Sequence, residues 1–148
     1  MQNSLEALAA KQAVHDTAIA LFVRTDKRDW EGVRAVFADK VRFDMTSTDG
    51  SKPRVRSAVD IVAEWKEGLS ELAALHHQIG NLVVTLGAEG EAHVTCYGTA
   101  WHYKVCEDGR NTRTFVGTYD LDLRRGDAAW KITSFAFHQK FVEGNPDL

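Results

Sequence analysis

Cysteine and proline are scarce, with two of each among 148 residues. Cys96 and Cys106 are too few to build a disulfide scaffold and form no CxxC pair, so both are expected as free thiols in a reducing compartment. Neither sign of charge dominates: 18 Lys and Arg stand against 21 Asp and Glu, a net charge of -3. No Lys/Arg-rich tract shifts this balance locally, so the chain lacks the positive excess that phosphate-backbone binding demands, and no nucleic-acid partner is expected. Long apolar runs are missing too. The longest covers residues 18–23, against the roughly 20 residues a membrane span needs. The opening Met1-Gln2-Asn3-Ser4-Leu5-Glu6 offers no cationic start to a targeting segment. These absences predict a cytoplasmic protein without a membrane partner.

What is present suits one folded unit. Hydrophobic residues make up 44% of the chain and charged residues 26%, the balance of soluble globular proteins. A chain of this length buries about 70% of the surface its unfolded form exposes, enough for a core without a structural metal. Residues 1–148 therefore read as a single domain, without internal repeats or linkers.

Leu5, Leu8, Ala9, Val14, Ala18, Leu21 and Phe22 recur at three- and four-residue spacing, which predicts a helix over 4–24. Asp29 precedes Trp30-Glu31-Gly32 as an N-cap, and Val33, Val36 and Phe37 give a second, shorter helix its apolar stripe. Residues 41–45 alternate apolar and polar, as in a half-buried strand, and 46–56 read as a polar loop. Ser57 with Asp60 resembles a capping box ahead of a third helix, whose apolar side is Val59, Ile61, Val62, Trp65, Leu69 and Leu72. Beyond residue 75 the period changes to that of strands, over 76–86, 92–105, 112–124 and 130–141, separated by Gly-containing turns. Helices first and neighbouring strands after predict an α+β fold, three N-terminal helices packed on one face of a curved antiparallel sheet. The last residues, Gly144-Asn145-Pro146-Asp147-Leu148, are expected to fray.

Strand parity then separates two faces. On the longest strand Val94, Cys96, Gly98, Ala100 and His102 share one side, and Thr95, Tyr97, Thr99, Trp101 and Tyr103 share the other. The small residues of the first set fit either a cavity beneath the helices or a bend at Gly98. The second set, rich in Tyr, Trp and Thr, has no helix left to cover it. A homodimer or homotrimer through this outer face is therefore expected.

Six histidines must be sorted. His15, His93 and His138 read as surface or satisfied-core residues. His76 and His77 are adjacent in a strand and point to opposite faces, which disfavours a metal pair; no metal site and no cofactor are expected. His77 shares its face with Ile79, Asn81 and Val83, and His102 points inward on a strand expected beside it. A nearby carboxylate would fix the tautomer of one imidazole and leave its other nitrogen to exchange a proton with a substrate. Asp26, at the end of the first helix and on the pocket side if Phe22 points inward, is the best candidate; Asp44 and Asp120 are the alternatives and are expected outside. The same residues also fit a second reading, in which both histidines merely line a polar part of a binding pocket.

Thr25-Asp26-Lys27-Arg28-Asp29-Trp30, followed by Val33-Arg34-Ala35-Val36-Phe37-Ala38 and Val41-Arg42-Phe43-Asp44, resembles the opening of scytalone dehydratase and its SnoaL-like relatives in the NTF2-like superfamily. The likeness covers most of the chain and continues at His77-Gln78-Ile79-Gly80 and Ala100-Trp101-His102. It implies a cone-shaped α+β barrel around a small hydrophobic cyclic substrate, and a dehydratase (lyase) or isomerase that needs no cofactor. By this resemblance His77 matches the general acid/base histidine, while Asp26 and His102 match the residues that orient it. Phe22, Trp65, Leu69 and Asn81 are expected around the substrate. The family's two carbonyl-binding tyrosines correspond here to Thr25 and Met45, of which only the first has a hydroxyl; Tyr119, inward with Phe115, Gly117 and Leu121, is the candidate replacement. The same fold also serves non-catalytic small-molecule-binding modules and small subunits of ring-hydroxylating oxygenases.

Overall fold

The computed structural model describes residues 2–148. Helix α1 (Gln2–Asp26) is followed by α2 (Trp30–Val36), strand β1 (Phe37–Asp44), the single turn α3 (Thr46–Asp49), β2 (Arg54–Ser57) and α4 (Ala58–Gly68). Four long strands complete the chain: β3 (Ala74–Leu86), β4 (Glu91–Tyr103), β5 (Thr112–Arg125) and β6 (Trp130–Gly144). The six strands form one sheet in the order β2-β1-β6-β5-β4-β3. All neighbours are antiparallel except β1 and β6, which run parallel. The expected barrel does not close, because β2 and β3 are unpaired edges of a curved, open sheet.

Both expected caps form. Asp29 Oδ1 accepts from Gly32 N at 3.0 Å, and Ser57 Oγ accepts from Asp60 N at 3.1 Å, which satisfies N–H groups that have no partner in the first helical turn. Several expectations need correction. The 46–56 segment is not simply a loop, since it holds α3 and the edge strand β2. The last N-terminal helix stops at Gly68 rather than running to Leu72, and the Arg28 guanidinium donates to Leu69 O at 2.8 Å and Leu72 O at 2.7 Å. Leu5 and Leu8 are 72% and 64% exposed, so the helix packs against the core only from Ala10 onward. The terminal segment does not fray. Asn145 is buried, donates from its backbone N to Thr112 O at 2.8 Å and from Nδ2 to Arg110 O at 2.9 Å.

The buried side chains form one cluster between the helices and the concave face of the sheet, with Leu21, Val33, Ile61, Val94, Leu121 and Ile132 fully enclosed. Burial of such side chains, about 1.5–3 kcal/mol each, holds the helices to the sheet. No described helix is long and apolar enough to cross a membrane.

Candidate active site

The cluster is interrupted by a cavity of about 310 Å³. Phe22 and Thr25 at the end of α1, Met45 and Thr48 around α3, and Glu64, Trp65, Gly68 and Leu69 at the end of α4 form its helical side. The sheet supplies His77, Ala100, His102, Phe115, Tyr119, Phe135 and Phe137. Most of this wall is aromatic or aliphatic, as ligand pockets are.

Asp26, the last residue of α1, lies behind His77 rather than on the cavity surface. Its Oδ1 accepts from His77 Nδ1 at 2.6 Å, and its Oδ2 accepts from the His77 backbone N–H at 2.8 Å. Two hydrogen bonds to one residue fix both the ring and its tautomer, with the proton on Nδ1 and Nε2 free toward the cavity. The side chains are 14% and 19% exposed, and the Phe22 ring packs 5.7 Å from the imidazole. A largely buried, oriented imidazole backed by a carboxylate is suited to take a proton from a carbon acid and return it.

His102 is brought to the same cavity but not into the same hydrogen-bond network. No described hydrogen bond joins it to His77 or Asp26, and its Nδ1 is buried without a partner. Burial, with Arg113 and His77 adding to it and Asp26 opposing, lowers its pKa to about 4, so the ring is neutral through neutral pH. The Thr25 hydroxyl donates to Leu21 O at 2.7 Å within α1, so its proton is not free for a substrate. Met45 faces the cavity as an apolar wall. Tyr119 is 6% exposed, with burial, Cys96 and Asp26 pushing its hydroxyl strongly toward the neutral form. Its ring lies over Gly98, where an added Cβ would come within 2.2 Å of Cε2. The small residue therefore makes room for an aromatic ring rather than for empty space.

Asn81 does not reach the cavity. A bulge between Gly80 and Val83 in the β3–β4 pairing reverses the parity of β3, and Asn81 sits in it exposed, with φ of 50°. Val83 is likewise 57% exposed, while Leu82 and Val84 turn in toward the core. His76 packs on Trp101 on the outer face, as parity requires. Asp44 and Asp120 lie off the cavity: Asp44 accepts from Thr46 N, and Asp120 binds His93, Thr95 and His138. Among the described residues, no group of three or more His, Cys, Asp or Glu side chains is arranged to hold a metal ion.

Sequence reasoning did not single out Thr48, Glu64, Phe135 or Phe137. The alternation Phe135-Ala136-Phe137 was a usable signal for two of them. Thr48 and Glu64 carry none, since one lies in a segment read as loop and the other forms a half-exposed ion pair with Arg56.

An open curved sheet, a helical lid and an apolar cavity with a buried Asp–His pair define an α+β protein of the NTF2-like kind. The chain belongs to the SnoaL-like domain family, whose model matches residues 6–136. No curated protein matches it. Among solved structures, the Kfla4162 protein of Kribbella flavida is 22% identical with a TM-score of 0.88, covering 93% of this chain and 95% of that one. A candidate aromatic ring hydroxylase from Novosphingobium aromaticivorans is 24% identical with a TM-score of 0.81, covering 95% and 96%. A candidate scytalone dehydratase from the same species is 15% identical with a TM-score of 0.82, covering 98% and 92%. At these identities the likeness establishes the fold alone.

Proposed function

We propose that the protein is a cofactor-independent lyase that removes water from a small, uncharged cyclic hydroxy ketone, or an isomerase where the ketone carries no β-hydroxyl. His77 is the general acid and base, and Asp26 is the residue that positions it. The observation that carries this reading is the doubly anchored Asp26–His77 pair on the wall of an apolar cavity. The described lining contains no Lys or Arg and includes Glu64, so an anionic substrate would meet no counter-charge on the cavity surface itself. A hydroxyl that departs as water with the proton returned by His77 needs none. The fold likeness to a candidate scytalone dehydratase agrees with this chemistry.

The test uses 1-tetralone in D₂O, followed by NMR for exchange at its α carbon, and 3-hydroxy-1-tetralone, whose dehydration gives 1-naphthol. Wild-type protein is expected to accelerate both, and His77→Ala to lose at least about 100-fold. Unchanged turnover in His77→Ala overturns the assignment. Binding of the ketone without exchange selects a non-catalytic binding module instead. The likeness to a candidate ring hydroxylase favours a second reading, an oxygenase subunit, which predicts co-purification with a foreign chain.

The proposed assembly is a homodimer or homotrimer through the outer face, where Tyr97 is 52% and Trp101 36% exposed. Sedimentation of wild type against Trp101→Lys checks it, with a shift to monomer expected only in the variant.

A further inference from the structure

Removing a proton beside a carbonyl moves an electron pair onto the carbonyl oxygen, and that oxygen needs a hydrogen-bond donor in place before the charge arrives. Thr25 cannot serve, because its hydroxyl proton is committed to Leu21 O. Met45 has no donor. Thr48 and Trp65 offer donors from the helical side; on the sheet Tyr119 and His102 remain, and they flank His77. His77 is level with Ala100, Tyr119 leans over Gly98 on one side, and His102 lies two residues beyond Ala100 on the other.

The charges behind the two donors differ. The Asp26 carboxylate lies near both, and it opposes further negative charge at Tyr119. His102 stands in register with Arg113 of β5, whose guanidinium lies 5.2 Å from the centroid of the Phe115 ring and whose Nε is buried without a protein partner. The His102 ring packs on that same Phe115, 5.2 Å between centroids. Its Nδ1 is the buried, unpartnered nitrogen, so Nε2 is the one left for a ligand. An imidazolium would bury an unpaired N–H bearing charge there; a neutral ring protonated on Nε2 buries only a lone pair.

We propose that His102 is a catalytic residue in its own right, a neutral imidazole whose Nε2–H donates to the substrate's ketone oxygen and holds it as an enolate, with the Arg113 charge behind it. This rests on the elimination reading and replaces the orienting role that the family resemblance implies for His102. It also specifies the substrate class: a β-hydroxy ketone on a rigid ring, its ketone oxygen toward His102 and its hydroxyl toward Tyr119. His77 Nε2 takes the α proton. The C–H pair becomes a C=C bond and the carbonyl π pair moves to the oxygen at His102. The oxygen then re-forms C=O, the α carbon's pair makes the new C=C bond to the β carbon, and the β C–O bond breaks. The leaving oxygen takes the proton from His77 and departs as water. Burial and Arg113, which hold the His102 pKa near 4, support a donor that stays neutral throughout.

The test titrates wild type, His102→Phe and His102→Gln with 1-naphthol and with naphthalene, which differ by the one hydroxyl that His102 would hold. Wild type should prefer 1-naphthol by about tenfold. His102→Phe should lose that preference, and His102→Gln, which keeps an N–H donor, should recover part of it. Exchange into 1-tetralone should fall about 100-fold in His102→Phe. The low-field proton resonance of the His77–Asp26 hydrogen bond should stay in place. No preference for 1-naphthol in wild type, or its survival in His102→Phe, overturns the proposal. So does displacement of the His77 resonance in His102→Phe, which would return His102 to an orienting role. His77→Ala separates the two ideas: exchange that persists there defeats the elimination reading, while the naphthol preference still decides His102.

Discussion

Asp26 binds His77 twice, once at the ring and once at the backbone, and the two contacts have different consequences. The bond to the backbone N–H ties the end of α1 to β3, whereas the bond to Nδ1 sets which nitrogen faces the cavity. Asp26→Asn keeps the shape but lets the amide hold the wrong tautomer. The expected result is a loss of 1-tetralone exchange of about 100-fold with 1-naphthol affinity retained. Gly98 acts through space instead. Its missing Cβ is where the Tyr119 ring lies, so Gly98→Ala should destabilise the fold by about 1–3 kcal/mol in urea titration. That ring fills the site directly, which explains why parity found the small residues but not what occupies the space above them.

At the level of elements, alternation was the most informative signal. It placed His77 and His102 inside and His76 outside from their positions alone, because side chains of a strand have a period of two. The same rule failed at Asn81. One extra residue in β3, at the bulge before Val83, reverses every later side chain; its local mark is Gly80 inside a strand pattern followed by Asn81, a residue type that tolerates the positive φ found there. The end of α4 was also misjudged, since the contact that fixes it comes from a distant residue. Arg28, in the turn after α1, holds Leu69 O and Leu72 O, and Leu69 lines the cavity. Arg28→Ala is expected to cost about 2 kcal/mol and to raise the KM for 3-hydroxy-1-tetralone more than it lowers kcat, checked by thermal unfolding and steady-state kinetics.

Across the whole molecule, two histidines respond to pH in opposite senses. On the outer face burial alone would lower the His93 pKa, but its hydrogen bonds to Asp122 at 2.6 Å and Asp120 at 3.0 Å outweigh that and raise it. Stability from this group is complete below its ordinary pKa and is lost as pH rises through the raised value. His102, lowered from 6.5 to about 4, works the other way. Between those values the unfolded chain takes up a proton that the folded chain refuses, so stability falls as pH drops through that window. Urea denaturation across pH is therefore expected to show a maximum near neutrality. His93→Gln should flatten its alkaline side and His102→Phe its acid side between about 6.5 and about 4.

The sequence by itself determined the order of helices and strands outside residues 46–56, both helix caps and the inward set of His77, His102 and Tyr119. Each follows from periodicity or capping, which act over a few neighbouring residues. The tertiary structure alone decided that Asp26 meets His77, that Thr25 is already engaged, that Tyr119 covers Gly98 and that the sheet stays open. Those outcomes depend on where curvature, bulges and crossing elements bring residues far apart in the chain, and no local spacing records the distance between them.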